Sequence, residues 1–292
     1  MEIRVLKYFL AVAKCGNITK AAEELHLTQP TLSRQLTELE IELGRQLFMR
    51  GKRRITLTEE GEFLKARAEE IIMLADSTVA ALSQDETISG DIFIGCGETE
   101  AMREVISAVA PLKRRYPDLR LHLISGNEAS ITEKLKKGLL DFGLVCRETP
   151  PVEYVYRRLR HQDTWGLLMQ STNPLAQHEV ITKNDLAQEP LIVSRQLMDS
   201  QEFDHWLDRP MQELNIVASY NLLHNTIFLA EQGMGSVLCF DRIIPESYKQ
   251  LVFRPLAPSL HSSNYIIWRK DQVFSKAASL VRDCFANMTE NK

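Results

Sequence analysis

Asn17 to Glu40 reads NITKAAEELHLTQPTLSRQLTELE, and the rest of the chain takes its meaning from these residues. Ile18, Ala21, Ala22 and Leu25 recur at i, i+3, i+4 and i+7, which predicts a short helix with one apolar face. Asn17 stands at its N-cap position, and the two alanines allow a neighbouring helix to approach closely. His26-Leu27-Thr28 forms the turn. Thr28 is placed to cap a second helix, and Pro30 falls in that helix's first turn, where its missing N–H matters little. Leu32, Leu36, Leu39 and Leu43 then make one apolar stripe. Gln29, Pro30, Ser33 and Arg34 occupy the N-terminal end of the opposite face, where a helix lying in a DNA groove presents side chains to base edges.

Alone, this pair is equally compatible with an ordinary helical hairpin. The flanks decide otherwise. Ile3–Lys14 predicts a preceding helix with Leu6, Phe9, Leu10 and Ala13 inward. Leu43-Gly44 is a helix stop, followed by LFMRGKRRITLT over 47–58, two strand-like pieces around a basic turn. Three helices and a basic wing predict a winged helix-turn-helix over residues 1–58. That segment carries ten Lys and Arg against six Glu, a surplus of +4 in a chain of 292 residues whose net charge is −4. The remainder is therefore acidic, and affinity for phosphate is concentrated in the head.

AAEELHLTQPTLSRQLTELEIELGRQLFMR, followed by RRITLTEEGE, closely resembles the N-terminal signature of LysR-type transcriptional regulators. The resemblance is long and ungapped here and continues more weakly past residue 90. It implies a sequence-specific DNA-binding regulator rather than an enzyme. It further implies control by a small polar organic effector with no cofactor or metal, a cytoplasmic location, a dimer that doubles to a tetramer, and contact with RNA polymerase. The partner is double-stranded DNA carrying an approximate inverted repeat. Gln29, Pro30, Ser33 and Arg34 are the expected base-proximal group, with Thr28 at the cap. Asn17, Thr19, Thr31, Arg50, Lys52 and Arg53 are the expected phosphate contacts, which fix register and carry the salt-dependent part of the affinity.

Thr58-Glu59-Glu60-Gly61 opens a long helix, with a capping threonine and acids in the first turn. Leu64, Ala68, Ile71, Ala75, Thr78 and Leu82 form a heptad seam along it. The seam suits packing on its own domain or pairing with a second chain, and the resemblance implies the second, a dimerising linker over 59–89. From residue 90 the pattern alternates strand and helix, as in a doubly wound sheet. Tyr154–Leu159 and Trp165–Met169 read as separate strands, the first leaving one lobe and the second opening another, and Asn264–Arg269 reads as the return. The expected fold class is α/β overall: a mainly helical head, a linker helix, and a two-lobed body over 90–292. Lobe I covers about 90–160 plus 264–292 and lobe II about 161–263, an arrangement that resembles periplasmic solute-binding proteins.

In such a body the cleft lies beyond the carboxyl ends of the strands. The effector candidates are therefore Glu98 and Thr99 after the first strand, Asn127 after the second, Arg147 after the third, and Ser194, Arg195 and Asn225 from lobe II. Thr99, Asn127 and Arg147 are the positions that the resemblance carries over. Arg147 and Arg195 suit a carboxylate, unless Arg147 pairs with Glu148 or Glu153. Glu98 and Glu100 either complement the dipole of the next helix or, for Glu98, face an amine in the cleft. His161 with Asp163, and His205 with Asp204 and Asp208, read as surface clusters rather than acid–base pairs. No nucleophile elbow, phosphate-binding glycine loop or metal spacing occurs. The five scattered cysteines read as reduced thiols, with Cys96 and Cys146 the alternative redox pair. No signal peptide or membrane-spanning segment is expected. An architectural DNA-binding protein with a ligand-free body is the remaining alternative, and the polar loops around the cleft speak against it.

Overall fold

The computed structural model describes residues 1–51, 54–82, 88–198, 201–244 and 248–288. The chain forms two compact units, 1–84 and 85–292.

In the first unit, α1 (Ile3–Cys15), α2 (Ile18–Glu24) and α3 (Gln29–Leu43) are followed by β1 (Phe48–Arg50), β2 (Ile55–Leu57) and α4 (Glu59–Leu82). The caps fall where the sequence places them. The Asn17 side chain accepts from the Lys20 N–H at 3.1 Å, and Thr28 accepts from the Thr31 N–H at 3.3 Å. Gly16 turns the chain between α1 and α2 with φ +62°, and a Cβ there would lie 2.9 Å from Arg54 Nε, so only glycine suits the position. Glu40 on α3 accepts the backbone N–H groups of Leu47 and Phe48 at 2.7 and 3.2 Å, which fixes where the β1–β2 wing departs. Phe9, Val12, Ala21, Leu32, Leu36 and Leu39 fill the core, and Leu64 and Ala68 of α4 join it. The expected stripe on α3 is one residue shorter than read, because Leu43 is 39% exposed beside the terminating Gly44.

In the second unit, β3 (Gly90–Cys96), α5 (Met102–Arg115), β4 (Leu119–Ser125), α6 (Glu128–Lys136) and β5 (Phe142–Arg147) build one lobe. β6 (Tyr154–Gln170) leads out of it. The other lobe follows with β7 (Ile181–Thr182), α7 (Lys183–Gln188), β8 (Leu191–Ser194), α8 (Arg195–Met198), α9 (Gln201–Leu207), β9 (Ile216–Tyr220), α10 (Thr226–Glu231), β10 (Ser236–Phe240) and β11 (Leu251–Ala257). β12 (His261–Arg269) returns, and α11 (Lys276–Ala286) packs beside α5 on the first lobe. One sheet runs through both lobes in the order β4-β3-β5-β12-β6-β10-β8-β9, with β11 paired to β6 and β7.

The strands expected at 154–159 and 165–169 are a single strand of 17 residues. Its first part pairs with β12 and its last part with β10 and β11. The polar run Arg160–Thr164 falls between the two expected strands, but here ladder partners and buried hydrogen bonds satisfy it. Gly166 makes the dense pairing possible: a Cβ would meet the Phe253 ring at 2.1 Å and the Arg254 carbonyl oxygen at 2.5 Å. Each lobe has its own core. Val105, Phe142, Trp268 and Phe285 centre the first, and Leu167, Leu186, Val193 and Leu238 the second.

Candidate functional sites: a groove-reading helix and an interlobe cleft

The exposed end of α3 is built by local chemistry. Burial of Leu32, Leu36 and Leu39 turns the opposite face outward, so that Thr28, Gln29, Pro30, Thr31 and Arg34 are exposed and Ser33 half-exposed. The Thr28 and Thr31 hydroxyls lie 2.8 Å apart at the cap. Arg34 Nε donates to Glu38 Oε1 at 2.8 Å, one helical turn along, while its side chain remains 80% exposed. That contact holds the guanidinium along the helix without burying it, and a pair so exposed is weak enough to yield to a base or a phosphate. Asn17 is half-buried at the start of α2 and Thr19 is exposed. Arg50 lies in β1, with its side chain outside the described part of the molecule. Lys52 and Arg53, the expected wing contacts, lie outside the described residues.

The two lobes of the second unit enclose a cavity of 670 Å³, within the range of small-molecule pockets. Glu98, Asn127, Arg147 and Ser194 line it, as do Glu128, Gln196, Trp165 and Phe240. Asn127 caps α6 by accepting from the Ser130 N–H at 3.0 Å, which fixes the loop between β4 and α6 at the cavity edge. Ser194 accepts from the Leu197 N–H at 3.1 Å and does the same for α8. Arg147 pairs with Glu128 at 3.0 Å, rather than with the sequence neighbours Glu148 or Glu153. Burial pushes the Glu128 carboxyl up, and the adjacent Arg147 guanidinium acts against it. Among the described residues, two hydrogen bonds join the lobes across the cavity. The Leu223 N–H donates to Glu98 Oε2, and the Glu128 N–H donates to Gln196 Oε1 at 3.3 Å. Of the two acids flanking Thr99, Glu100 pairs with Arg103 in the first turn of α5, whereas Glu98 is turned to the other lobe.

Thr99, Arg195 and Asn225 are not among the residues that line the cavity. Thr99 instead donates to Asp163 Oδ2 at 2.6 Å and accepts from the Ala101 N–H at 3.0 Å. Asp163 is fully buried, not the surface acid its neighbours suggest. It also receives Asn264 Nδ2 at 2.8 Å and faces His161 Nε2 at 3.1 Å. This polar knot sits where β6 and β12 cross between the lobes, at a β-bulge between Ser263 and Tyr265. Cys146 joins it by donating to Asn264 Oδ1 at 2.9 Å. Burial raises the Cys146 and Cys96 thiols above the ordinary range, and both cysteines are free, so neither resembles a thiol poised for oxidation. In the second cluster, Asp204 accepts from the Met211 N–H at 2.8 Å, Asp208 pairs with Lys183, and His205 alone reaches the cavity.

Sequence reasoning did not single out Glu128, although it follows the capping Asn127 directly. Nor did it find the aromatic wall of Trp165, Phe203 and Phe240, because single aromatics on three distant elements have no common pattern. Among the described residues, no group of three or more His, Cys, Asp or Glu could hold a metal ion, and no helix is long and apolar enough to cross a membrane.

Two family models cover this chain: the bacterial regulatory helix-turn-helix protein of the lysR family over residues 3–62, and the LysR substrate binding domain over 85–289. The Hca operon transcriptional activator HcaR of Escherichia coli (strain K12) is 30% identical over 282 residues, covering 94% of this chain and 93% of its own. The regulator BsdA of Bacillus subtilis (strain 168) is 27% identical over 297 residues, covering 98% and 100%. Among solved structures, full-length CbnR in complex with its target DNA has the same fold, with a TM-score of 0.72 at 20% identity over 98% of this chain and 99% of that one. Full-length BenM matches at a TM-score of 0.53 and 25% identity over 99% and 96%. A helix-turn-helix that leaves the start of α3 uncovered, joined to an effector-binding body and matched by both models, makes this chain a member of the LysR family of DNA-binding transcriptional regulators.

Proposed function

We propose that this regulator reads an approximate inverted repeat through α3, with Gln29, Pro30, Ser33 and Arg34 on base edges. Gln29 suits adenine, Arg34 suits guanine or phosphate, and Pro30 packs on a thymine methyl. Thr28 holds the helix start. Asn17, Thr19, Thr31, Arg50, Lys52 and Arg53 bind phosphates. The observation that carries this reading is the polar, uncovered first turn of α3 over a fully buried leucine stripe.

The functional division is a DNA-binding head over 1–58, a linker over 59–89 and an effector body over 90–292. The linker pairs with a second copy: the seam on α4 splits, with Leu64 and Ala68 buried in the head, Ala75 half-buried, and Ile71, Thr78 and Leu82 exposed. Two dimers make the tetramer, which meets RNA polymerase at the promoter in the cytoplasm. The effector lies in the interlobe cavity, against Glu98, Asn127, Arg147 and Ser194. Thr99 acts on it indirectly, through Asp163, and Arg195 and Asn225 stand outside the first contacts. Lobe closure around the effector alters the spacing of the heads.

The test is fluorescence anisotropy with the DNA upstream of the protein's own gene against scrambled DNA, across a salt series. The expected result is tight, sequence-dependent binding with a steep negative salt slope. Arg34→Ala is expected to relax the preference at one base position by about 1–3 kcal/mol per half-site. An unchanged preference in that variant removes Arg34 from the reading face.

A further inference from the structure

The charge around the interlobe cavity is one-sided. Among the described residues that line it, Glu98, Glu128 and Glu148 are acidic, and the basic side chains are Arg147 and the imidazole of His205, with no lysine. Arg147 is already committed to Glu128 at 3.0 Å. An anionic ligand would therefore meet two unneutralised carboxylates and no free guanidinium, while a cation would meet carboxylates on the lobe I side of the cavity. Glu98 has one oxygen engaged by the Leu223 N–H, which leaves its second oxygen to accept from a ligand. Lobe II offers a different surface. Trp165 and Phe240 lie 4.2 Å apart between ring centroids, Trp165 and Phe203 6.4 Å apart, and all three line the cavity. The Trp165 indole N–H is satisfied by Ser262 Oγ at 3.1 Å, so the ring presents apolar surface and π-faces rather than an unpaired donor. Aromatic faces attract cations as well as apolar bodies.

Resting on the reading of this cavity as the effector site, we infer that the effector is an organic cation. It carries an amine or similar protonated nitrogen placed between Glu98 and Glu128, and an apolar or aromatic body laid on the Trp165–Phe240 wall. The Glu128–Arg147 pair then sets the charge preference: Glu128 supplies an acceptor for the cation and also neutralises the arginine that would otherwise attract a carboxylate. Glu128 is held up by burial, and a ligand cation beside it relieves that penalty.

The test is thermal denaturation of the full-length protein with aryl- and alkylamines, each matched by a carboxylate and an alcohol of the same skeleton. A ligand bound to the native state raises the midpoint by mass action. Amines are expected to raise it where their carboxylate and alcohol counterparts do not. Glu98→Gln is expected to weaken amine binding about tenfold, equivalent to about 1.4 kcal/mol, without improving carboxylates. Glu128→Gln is expected to weaken amines similarly and to strengthen carboxylates, because it frees Arg147. A residue with a merely structural role would not exchange the preference. If carboxylates outperform amines on the unsubstituted protein, the cationic assignment falls and the cavity remains the effector site. If amines bind both variants as well as they bind the parent protein, the nitrogen does not lie between these glutamates and the proposal falls. If no compound of any charge shifts the midpoint at millimolar concentration, the cationic assignment and the reading of the cavity fall together.

Discussion

The head and the body solve the problem of presenting a site in opposite ways. In the head, one helix carries the whole group proposed to read bases, and its orientation follows from three leucines on the other side. In the body, the cavity is lined from the ends of β3, β4, β5, β8, β9 and β10, together with β6, β12 and α9, and its lining residues are drawn from Gly97 to Ser262. The head's site is a property of a segment. The body's site is a property of a topology. Damage to the head should therefore act by unfolding or by removing single contacts, whereas damage to the body should act through what holds the crossing strands in place.

The largest effect expected on this contrast is Phe9→Ala. Phe9 is fully buried and its ring stands 5.2 Å from that of Phe48, so its loss should destabilise the head by about 3–5 kcal/mol and abolish operator binding. Urea denaturation followed by binding titration checks it, and retained binding with an unshifted midpoint would break the claim that the leucine–phenylalanine core orients α3. Next is Asp163→Ala. It leaves the Thr99 hydroxyl and the Asn264 amide without their buried acceptor, an expected loss of about 2–3 kcal/mol, with the effector response changed although Asp163 does not line the cavity. Thr99→Ser should preserve both stability and response, because the donor to Asp163 is kept. If Asp163→Ala leaves effector titration unchanged, the crossing is not what positions the cleft.

A smaller effect is expected at Asp141. Burial lifts its carboxyl to about 6, while the Phe93 N–H it accepts at 2.9 Å acts the other way. The folded chain therefore holds a proton that the unfolded chain releases near its ordinary value of 3.8. Stability should fall as pH rises from about 4 to about 6, and the deficit should persist above that window. Asp141→Asn keeps an acceptor for Phe93 and removes the charge. It should stabilise the body by about 1–2 kcal/mol at neutral pH and flatten the pH dependence, as measured by denaturation midpoints across that range. The smallest effect is Thr28→Ala, which removes one cap at the start of α3. It should destabilise the head by about 1 kcal/mol and weaken DNA binding modestly at all sequences. A change in base preference would instead give Thr28 a reading role.

The same contrast explains what was legible in the sequence. Helical period, caps and turn residues are local, so α1 to α4 follow from residue spacing, and the Asn17 and Thr28 caps stand where the pattern puts them. The corrections come where partners are distant in sequence. β6 reads as two strands because Arg160 to Thr164 is polar, and only its ladder with β12 and the buried Asp163 make it continuous. β11 is hidden by Arg254 and Pro255 in its middle. Glu98, Asn127, Arg147 and Ser194 line the cavity because strand ends in such a sheet converge, a rule about topology rather than about residue type. That rule does not say which way a side chain turns. Thr99 follows the same strand as Glu98, yet its hydroxyl is held at the crossing while Glu98 reaches across the cavity.

The crossing also bears on how such a body could diversify. Lobe II leaves and rejoins the rest of the unit at one place: Thr164 of β6 stands opposite His261 of β12 in the ladder, and their side chains meet at 3.3 Å. Everything between those two residues is an inserted module whose two ends are neighbours. A lobe II from a relative can be transplanted there by joining two adjacent strands, leaving lobe I, with Glu98, Glu128 and Arg147, unaltered. The aromatic wall would change while the acidic half stayed, so for a ligand bound as proposed one graft should exchange its preferred body and keep its charge.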